Sequence, residues 1–240
     1  TGFSKGKDAD GLAMNDAGAM AEQLKIEIRT FQNVTGIDAD AKTVSIGDDV
    51  LEYDQLVLAL GAAPIQLPIA GGDLALHVND LMDYHAFHKA LDNKKTVTVI
   101  GAGLVGTEYA HDLASAGYQV NLVAPDAQPL TRLIPDDCGQ ALMPSLQELG
   151  VTLYMGQSAS EIIQHDGGFS VVLGDGTTLD SDVVLSAVGL MPRTELAKVA
   201  GLSVDRAIQV NRLMQTSNPD VYALGDCASV DGLNLLYVLP

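Results

Sequence analysis

A glycine-rich loop between a short apolar strand and a helix constrains the fold of this chain more than any other feature. The stretch TVTVIGAGLVGTEYAHDLASAGYQVNLVA begins at Thr96, and its loop glycines are Gly101, Gly103 and Gly106. In such a loop the first glycine allows a tight turn, the second lets the backbone approach a pyrophosphate, and the third lets the helix pack against the sheet. Phosphates would then accept hydrogen bonds from the amides at the start of the helix, near Leu104.

The surroundings of this loop make it a specific signal. An apolar strand, Thr96–Ile100, precedes it, a helix follows, and a second strand, Gln119–Ala124, closes a unit of about thirty residues. We predict that the unit binds a dinucleotide. The alternative is a glycine-rich turn that only packs.

The chain also contains an internal repeat. Asp54 opens the segment DQLVLALGAAP and Asp182 opens DVVLSAVGLMP, so Asp, Gly and Pro recur at the same spacing. A polar hairpin precedes each copy, IGDDVLEY before the first and LGDGTTLD before the second. Because a duplicated pattern indicates duplicated structure, the repeat predicts two nucleotide-binding domains. The glycine loop of the first copy would fall before Thr1, so we expect a fragment that lacks this loop and its C-terminal region.

Composition excludes several classes of function. The net charge of -18 argues against nucleic acid, because little here could neutralise a phosphate backbone. No apolar run reaches the roughly eighteen residues of a membrane-spanning helix, and no signal peptide is visible. We therefore expect a cytoplasmic protein with no membrane span and no nucleic-acid partner.

The cysteines and histidines form no redox or metal motif. Cys138 and Cys227 make no CxxC pair, so a redox-active dithiol of neighbouring cysteines is absent from the sequence. The predicted helix face that carries Cys138 also carries Leu142, Leu146 and Leu149. That face favours a buried core thiol over a reactive one. His85 and His88 stand three positions apart on another predicted helix, where a solvated face explains them better than a metal site.

Periodicity and turn residues outline the remaining elements. Helices are predicted at Asp16–Lys25, Leu81–Leu91 and Asp136–Leu149. Strands are predicted at Ile26–Arg29, Gln32–Asp38, Lys42–Ile46, Val50–Tyr53, Leu56–Leu60, Val151–Met155 and Val183–Val188, with a short strand before Gly225. Leu56–Leu60 is apolar throughout, which is typical of a central strand buried on both faces. Residues 1–16 are predicted as loop.

These elements predict an α/β, doubly wound fold with two Rossmann-like dinucleotide-binding domains, one inserted in the other. Residues 1–95 would form the first part of the outer domain, residues 96–215 the inserted domain, and residues 216–240 the return to the outer domain.

With these motifs in hand, the chain resembles flavoprotein reductases built from two dinucleotide-binding domains. The motifs shared across that superfamily are GAGLVGTE, the two Gly-x-x-Pro segments and ALGDCA. Finer motifs are TGFSK, GLAM, AVGLMPRTEL, YALGDCA and VDGLNLLYV. Together they are similar to the rubredoxin–NAD(+) reductases of the FAD-dependent pyridine nucleotide-disulfide oxidoreductase superfamily. The resemblance implies that the outer domain binds FAD and that the inserted domain binds NADH.

The resemblance places FAD on four positions. Asp226 matches the residue that binds the ribityl chain, although an Asp here could instead cap a following helix. Val34 matches a position whose backbone pairs with the adenine, Gly61 would lie near the pyrophosphate, and Val238 near the isoalloxazine.

The resemblance places NADH on the glycine loop and on two further residues. The cradle residues are Gly101, Gly103, Leu104, Val105 and Gly106. Glu108 resembles an acid that faces the nicotinamide, but an acid there also suits a helix N-terminus electrostatically. Gly189 matches the turn that lets the nicotinamide reach the flavin.

One position departs from the family pattern. The strand should end in an acid for the adenosine ribose of NAD, but Ala124 and Pro125 stand there and Asp126 follows. The nearest cation is Arg132, so nothing at the strand end favours a 2′-phosphate. The sequence thus favours NADH over NADPH.

The resemblance implies that electrons pass from NADH through FAD to rubredoxin, as in alkane hydroxylation, with no catalytic residue of the protein required. A ferredoxin reductase or an NADH oxidase of the same fold is an alternative. Oxidase relatives commonly use a cysteine near the start of the first domain. Residues 1–50 contain no cysteine, which disfavours the oxidase alternative. A nucleotide-binding fragment without catalysis is another alternative.

Rubredoxins are usually acidic, so docking would need an apolar contact or a local cationic patch, with Lys5, Lys7, Lys94 and Lys95 as candidates.

Overall fold

The protein divides into two compact units in a computed structural model that describes residues 2–234. The glycine-loop unit contains residues 2–14 and 64–189, and the flanking unit contains residues 15–63 and 190–234. Both units combine helices with parallel strand pairs, so the predicted α/β class is confirmed. The domain bounds expected at residues 95 and 215, and the nucleotide assigned to each domain, stay predictions.

The structure contains six helices and sixteen strands in the described residues. The helices are α1 (Ala9–Leu12), α2 (Ala17–Leu24), α3 (Leu81–Ala90), α4 (Leu104–Ser115), α5 (Asp136–Glu148) and α6 (Glu195–Val199). The first eight strands are β1 (Val34–Asp38), β2 (Thr43–Ile46), β3 (Asp49–Glu52), β4 (Leu56–Leu58), β5 (Ala62–Pro64), β6 (Thr96–Ile100), β7 (Gln119–Ala124) and β8 (Val151–Met155). The last eight are β9 (Ala159–His165), β10 (Gly168–Leu173), β11 (Thr178–Ser181), β12 (Val183–Ser186), β13 (Leu190–Pro192), β14 (Ile208–Val210), β15 (Val221–Ala223) and β16 (Ala228–Val230). Single turns of 3-10 helix span Gly72–Leu74 and Gly225–Cys227.

The core of the glycine-loop unit is a parallel sheet in the order β12-β6-β7-β8. Strand β6 is buried over its last four residues, because it has a neighbour on either side and parallel sheets are covered on both faces. The chain leaves β6 toward β7 and β8 and later returns to β12 on the other side. Ligands bind outside the carboxyl ends of such sheets where the strand order reverses, and the glycine loop follows β6 at this point. The strands β9, β10 and β11 add an antiparallel meander.

The first residues of the chain, predicted as loop, include the short helix α1 and pack on the glycine-loop unit. The N–H of Phe3 donates to Oδ2 of Asp112 at 3.2 Å, and its ring lies against that of Phe87. The Tyr84 hydroxyl donates to the carbonyl of Lys7 at 2.7 Å. Asp112 is a buried acid on α4, and this segment supplies polar partners for it.

The flanking unit consists of an antiparallel meander and short parallel pairs. Strands β1, β2 and β3 form the meander, as predicted. Strand β15, the short strand before Gly225, pairs in parallel with β4. Strand β14 pairs with β16, and β13 pairs with β5. The buried residues at the centre of this unit include Ile37, Leu58, Ile208, Val221 and Cys227.

The strand predicted at Ile26–Arg29 does not form, and the strand predicted at Leu56–Leu60 is shorter and more exposed than expected. Helix α2 begins where the side chain of Asp16 caps it and ends at Lys25, whose φ of 56° is left-handed. The segment Ile26–Arg29 that follows is not a strand, and its alternating isoleucines are exposed. Strand β4 is shorter than predicted and Val57 is 54% exposed, because only β15 lies beside it in the described part of the chain.

The predicted burial of Cys138 is wrong, since its side chain is exposed. Helix α5 instead turns Gly139 and Leu146 inward. A Cβ at residue 139 would lie 2.7 Å from Cγ of Gln128, so the helix rests on the preceding loop through this glycine. That contact rotates the neighbouring Cys138 away from the core.

The two aspartates of the repeat have different surroundings. A carboxylate oxygen of Asp182 accepts from the N–H of Lys95 at 2.8 Å and from the N–H of Thr96 at 2.9 Å. These two amides, with the nearby lysines, lower the pKa of Asp182 below its usual value. The side chain of Asp54 is exposed and forms no hydrogen bond within residues 2–234.

Asp182→Ala is expected to lower the free energy of unfolding at pH 7 by about 1–2 kcal/mol, because two backbone amides lose a charged acceptor. The lowered pKa means that the carboxylate stabilises the fold above an unfolded value of about 3.9, and that this contribution is lost as pH falls through the folded value. Urea unfolding from pH 7 to pH 2 measures both effects. Asp54→Ala is the matched control, and an equal loss in both variants at pH 7 would contradict the prediction.

Candidate nucleotide-binding sites

The first loop glycine makes a turn that no other residue would fit. Gly101 has φ of +107°, and a Cβ there would lie 2.5 Å from the carbonyl oxygen of Ala187. Its N–H donates to the carbonyl of Val123 at 2.8 Å, which extends the sheet pairing by one residue. The turn therefore brings the backbone after β6 against the backbone after β12.

The other two glycines differ in their surroundings: Gly106 packs against the loop, whereas Gly103 lies beside open space. A Cβ at Gly106 would lie 1.8 Å from the carbonyl oxygen of Gly101, so helix α4 approaches the loop too closely for any side chain. Gly103 has an ordinary φ of -73°, and a Cβ there would meet nothing within 4 Å. Nothing among the described residues requires glycine at residue 103. A diphosphate that the backbone approaches at this point would occupy the open space beside Gly103.

The start of helix α4 offers amide donors to that space. The N-cap Gly103 makes no side-chain cap, and the first amides of a helix have no intrahelical partners. The side chain of Leu104 is 40% exposed, and Val105 is half-buried. Glu108 is exposed on the next turn of α4 and forms no ion pair within residues 2–234. The amides suit an anion, so the loop offers the donors that a diphosphate group needs.

The loop after β7 lies beside the glycine loop. The N–H of Leu130 donates to the carbonyl of Ala102 at 2.8 Å, which ties the two loops together. Pro125 is exposed at the strand end, and Asp126 is half-buried with its carbonyl bound to the N–H of Gly156 at 2.9 Å. Arg132 is exposed farther along the same loop.

Two buried polar atoms near the carboxyl end of β12 were not singled out by the sequence. The hydroxyl of Ser186 and Nδ1 of His77 have no hydrogen-bond partner among the described residues. They flank one backbone contact, in which the N–H of Ser186 donates to the carbonyl of Leu76 at 2.8 Å. The sequence signal that could have identified Ser186 is a serine at the end of an otherwise apolar strand. Gly189, three residues later, has φ of +119° and accepts from the N–H of Ile65 at 3.0 Å.

A cleft of about 550 Å³ opens in the flanking unit. Its lining residues are Asn33, Val34, Leu60, Pro192, Arg193, Thr194, Glu195 and Leu196. Val34 begins β1, and Leu60 precedes Gly61, whose φ is +64°. Two residues assigned to FAD therefore lie in or next to one concave surface that suits part of a nucleotide. Arg193 lines the same cleft, and the sequence singled it out only as part of a motif.

Asp226 lies within the 3-10 turn Gly225–Cys227. Gly225 has φ of +72°, and a Cβ there would meet nothing within 4 Å, so a ligand could approach the backbone. Strand β16 follows this turn directly, so Asp226 does not precede a helix there, as the capping alternative would require. The carbonyl of Asp226 accepts from Nδ2 of Asn234 at 3.1 Å. Val238 lies outside the described residues.

The described residues contain no group of three His, Cys, Asp or Glu side chains placed to hold a metal ion. They also contain no helix with the length and apolar character needed to cross a membrane.

The family model described as pyridine nucleotide-disulphide oxidoreductase matches residues 4–238. The rubredoxin-NAD(+) reductase of Alcanivorax borkumensis is 48% identical over 242 residues, which cover 100% of this chain and 63% of that protein. The chain thus spans about 63% of the length of the curated relatives it matches.

Solved structures also resemble the chain. The ferredoxin reductase for the CYP199A2 system from Rhodopseudomonas palustris has a TM-score of 0.88 at 28% identity, over 96% of this chain and 58% of that one. The water-forming NADH oxidase from Lactobacillus brevis bound to NADH has a TM-score of 0.89 at 26% identity, over 99% of this chain and 56% of that one.

Gly103→Ser is expected to preserve folding but weaken NADH binding about tenfold or more. Serine is at least as good an N-cap as glycine, whereas its side chain would occupy the open space beside the loop. Fluorescence titration with NADH and thermal unfolding measure the two effects. Gly106→Ala is the contrasting variant, because its Cβ has no room and should lower the unfolding temperature. Unchanged NADH affinity in a folded Gly103→Ser variant would contradict the assignment of this loop.

Proposed function

The chain belongs to the pyridine nucleotide-disulphide oxidoreductase family, and on that premise we propose that it passes electrons from NADH through FAD to rubredoxin. The observation that carries the proposal is the glycine loop, in which Gly103 faces open space at an uncapped helix start. The relative named rubredoxin-NAD(+) reductase, which matches the full length of this chain, supports the choice of acceptor.

The candidate site residues would bind and orient NADH and FAD. The amides near Leu104 and Val105 would hold the diphosphate of NADH, with Gly189 providing a turn without a side chain. Val34, Gly61 and Asp226 would hold FAD, and Val238 is assigned by resemblance alone. Bound flavin would supply the chemistry, accepting a hydride and releasing electrons singly. No acid, base or nucleophile of the protein is required, so protein groups contribute placement and exclusion of water.

Rubredoxin is favoured over the acceptors of the sister enzymes. The solved structures named as a ferredoxin reductase and as an NADH oxidase are 28% and 26% identical, compared with 48% for the rubredoxin-NAD(+) reductase. The chain also lacks a cysteine in residues 1–50 that could act as a peroxide- or oxygen-linked centre. Both alternatives remain outcomes of the experiment below.

Docking of an acidic rubredoxin would depend on local cations. Lys5 and Lys7 are exposed and form no ion pair in residues 2–234, whereas Lys94 lies 4.0 Å from Asp182. Lys5 and Lys7 are therefore the more available candidates, and a small transient contact would suffice. A cytoplasmic location is part of the proposal.

The proposal is tested by spectroscopy of the purified protein with FAD. We expect the visible flavin band to bleach when NADH is added without oxygen, and rubredoxin to be reduced in proportion to NADH consumed. Reduction of a ferredoxin but not of rubredoxin would assign the chain to the first sister enzyme, and NADH consumption by oxygen alone would assign it to the second. A protein that stays colourless with added FAD, but binds NADH, would be only the nicotinamide-binding part of such an enzyme.

NADH is expected to bind at least tenfold more tightly than NADPH, about 1.4 kcal/mol, because no cation stands at the end of β7 to receive a 2′-phosphate. Titration with each nucleotide under the same salt conditions measures the ratio. Pro125→Arg adds a cation at this exposed position and should bring the two affinities closer together. Equal affinities in the unsubstituted protein would show that another cation, such as Arg132, reaches the phosphate.

A further inference from the structure

Arg193 forms hydrogen bonds to the segment around Gly61, which the resemblance assigns to the FAD pyrophosphate. Its backbone N–H donates to the carbonyl of Gly61 at 3.0 Å. Its side-chain Nη1 donates to the carbonyl of Leu60 at 3.2 Å. A Cβ at residue 61 would lie 3.6 Å from the same Nη1, so the guanidinium group stands directly beside Gly61. One residue is therefore bonded to two successive carbonyls at the edge of the cleft.

The guanidinium group keeps donors free for a ligand. Arginine has five N–H donors, and one bond to Leu60 is found in the described residues. Arg193 is exposed and lines the cleft together with Val34. The planar group can bind two phosphate oxygens at once, which a single carbonyl contact does not prevent.

The charge of Arg193 is not neutralised by a carboxylate within residues 2–234, unlike the charges of Lys42 and Arg212 in the same unit. Lys42 pairs with Asp220 at 2.8 Å, and Arg212 pairs with Asp231 at 2.7 Å. Glu195 lines the same cleft but forms no ion pair with Arg193. Among the described residues, Arg193 is the one lysine or arginine that lines this cleft. Such a cation is available to an anion.

We propose that Arg193 is the phosphate-binding residue of this cleft and contacts the diphosphate of FAD. The inference rests on the proposed function, which supplies the flavin nucleotide. Val34 would hold the adenine end, Gly61 would let the diphosphate approach the backbone, and Arg193 would supply the positive charge. An adenosine diphosphate group also occurs in NADH, so the experiment must separate the two nucleotides.

The test compares Arg193→Gln and Arg193→Lys with the unsubstituted protein. We expect Arg193→Gln to raise the dissociation constant for FAD about tenfold or more, because a charge-assisted contact is lost. Arg193→Lys should recover part of the affinity, since a lysine keeps the charge but not the planar fork. The dissociation constant for NADH should stay within about twofold in both variants. Flavin and nicotinamide fluorescence titrations measure these constants.

The control variant is Arg206→Gln, which removes an exposed cation of the same unit outside the lining of the cleft. It should leave the dissociation constant for FAD within about twofold. If Arg193 binds phosphate, the affinity of the unsubstituted protein for FAD should fall with added salt more steeply than that of Arg193→Gln. Thermal unfolding without flavin shows whether Arg193→Gln folds.

Three results would overturn the inference. Unchanged FAD affinity in Arg193→Gln would remove the proposed contact and leave the flavin proposal intact. An equal loss in Arg193→Lys and Arg193→Gln, with a lower unfolding temperature and an unchanged salt dependence, would show that Arg193 only braces Leu60 and Gly61. Absence of FAD binding by the unsubstituted protein, with NADH binding retained, would overturn the flavin proposal together with the inference.

Discussion

The close approach of helix α4 to the sheet is the constraint on which the glycine-loop unit depends. A side chain at Gly106 would collide with the carbonyl of Gly101, and Gly101 itself is pressed against the carbonyl of Ala187. Backbone meets backbone where β6, β12 and α4 come together, so no side chain can enter that point. The helix consequently starts at the carboxyl edge of the sheet, and its first amides face the open space beside Gly103. The proposed anion site would therefore be a consequence of how tightly these elements pack.

The internal repeat shows how one sequence pattern serves two environments. Gly61 and Gly189 both have positive φ, and the carbonyl of each accepts a hydrogen bond from the residue after the proline of the other copy. The aspartates diverge, because the amides that bind Asp182 belong to the segment leading into β6. Asp54 has no such neighbour and stays exposed. A shared spacing thus predicts a shared backbone path, whereas the role of each side chain depends on what the rest of the chain brings near it.

The same distinction decides which features could be predicted from the sequence. The glycine loop and the first meander were predictable because their signals, turn residues and apolar alternation, act over a few neighbouring positions. The exposure of Cys138 was not, since it follows from a contact between Gly139 and the loop at Gln128. The docking of Phe3 on Asp112 likewise joins residues distant in sequence, and helical periodicity gives no sign of it. Arg193 is visible in a motif, but only its bonds to Leu60 and Gly61 suggest what it could do.

The negative net charge of the chain opposes the binding of anionic cofactors and of an acidic partner. A chain of charge -18 repels NADH, FAD and an acidic electron carrier alike at long range. Salt at about 0.1 M screens exposed charges over roughly 10 Å, so the repulsion is weak beyond that distance and local donors decide binding. At the glycine loop these donors are backbone amides, which carry no net charge. In the cleft of the flanking unit the donor would be a guanidinium group, whose attraction for phosphate survives only because no acidic side chain in the described residues pairs with it. An acidic protein can therefore hold anionic cofactors when its few positive groups are kept unpaired at the binding surface.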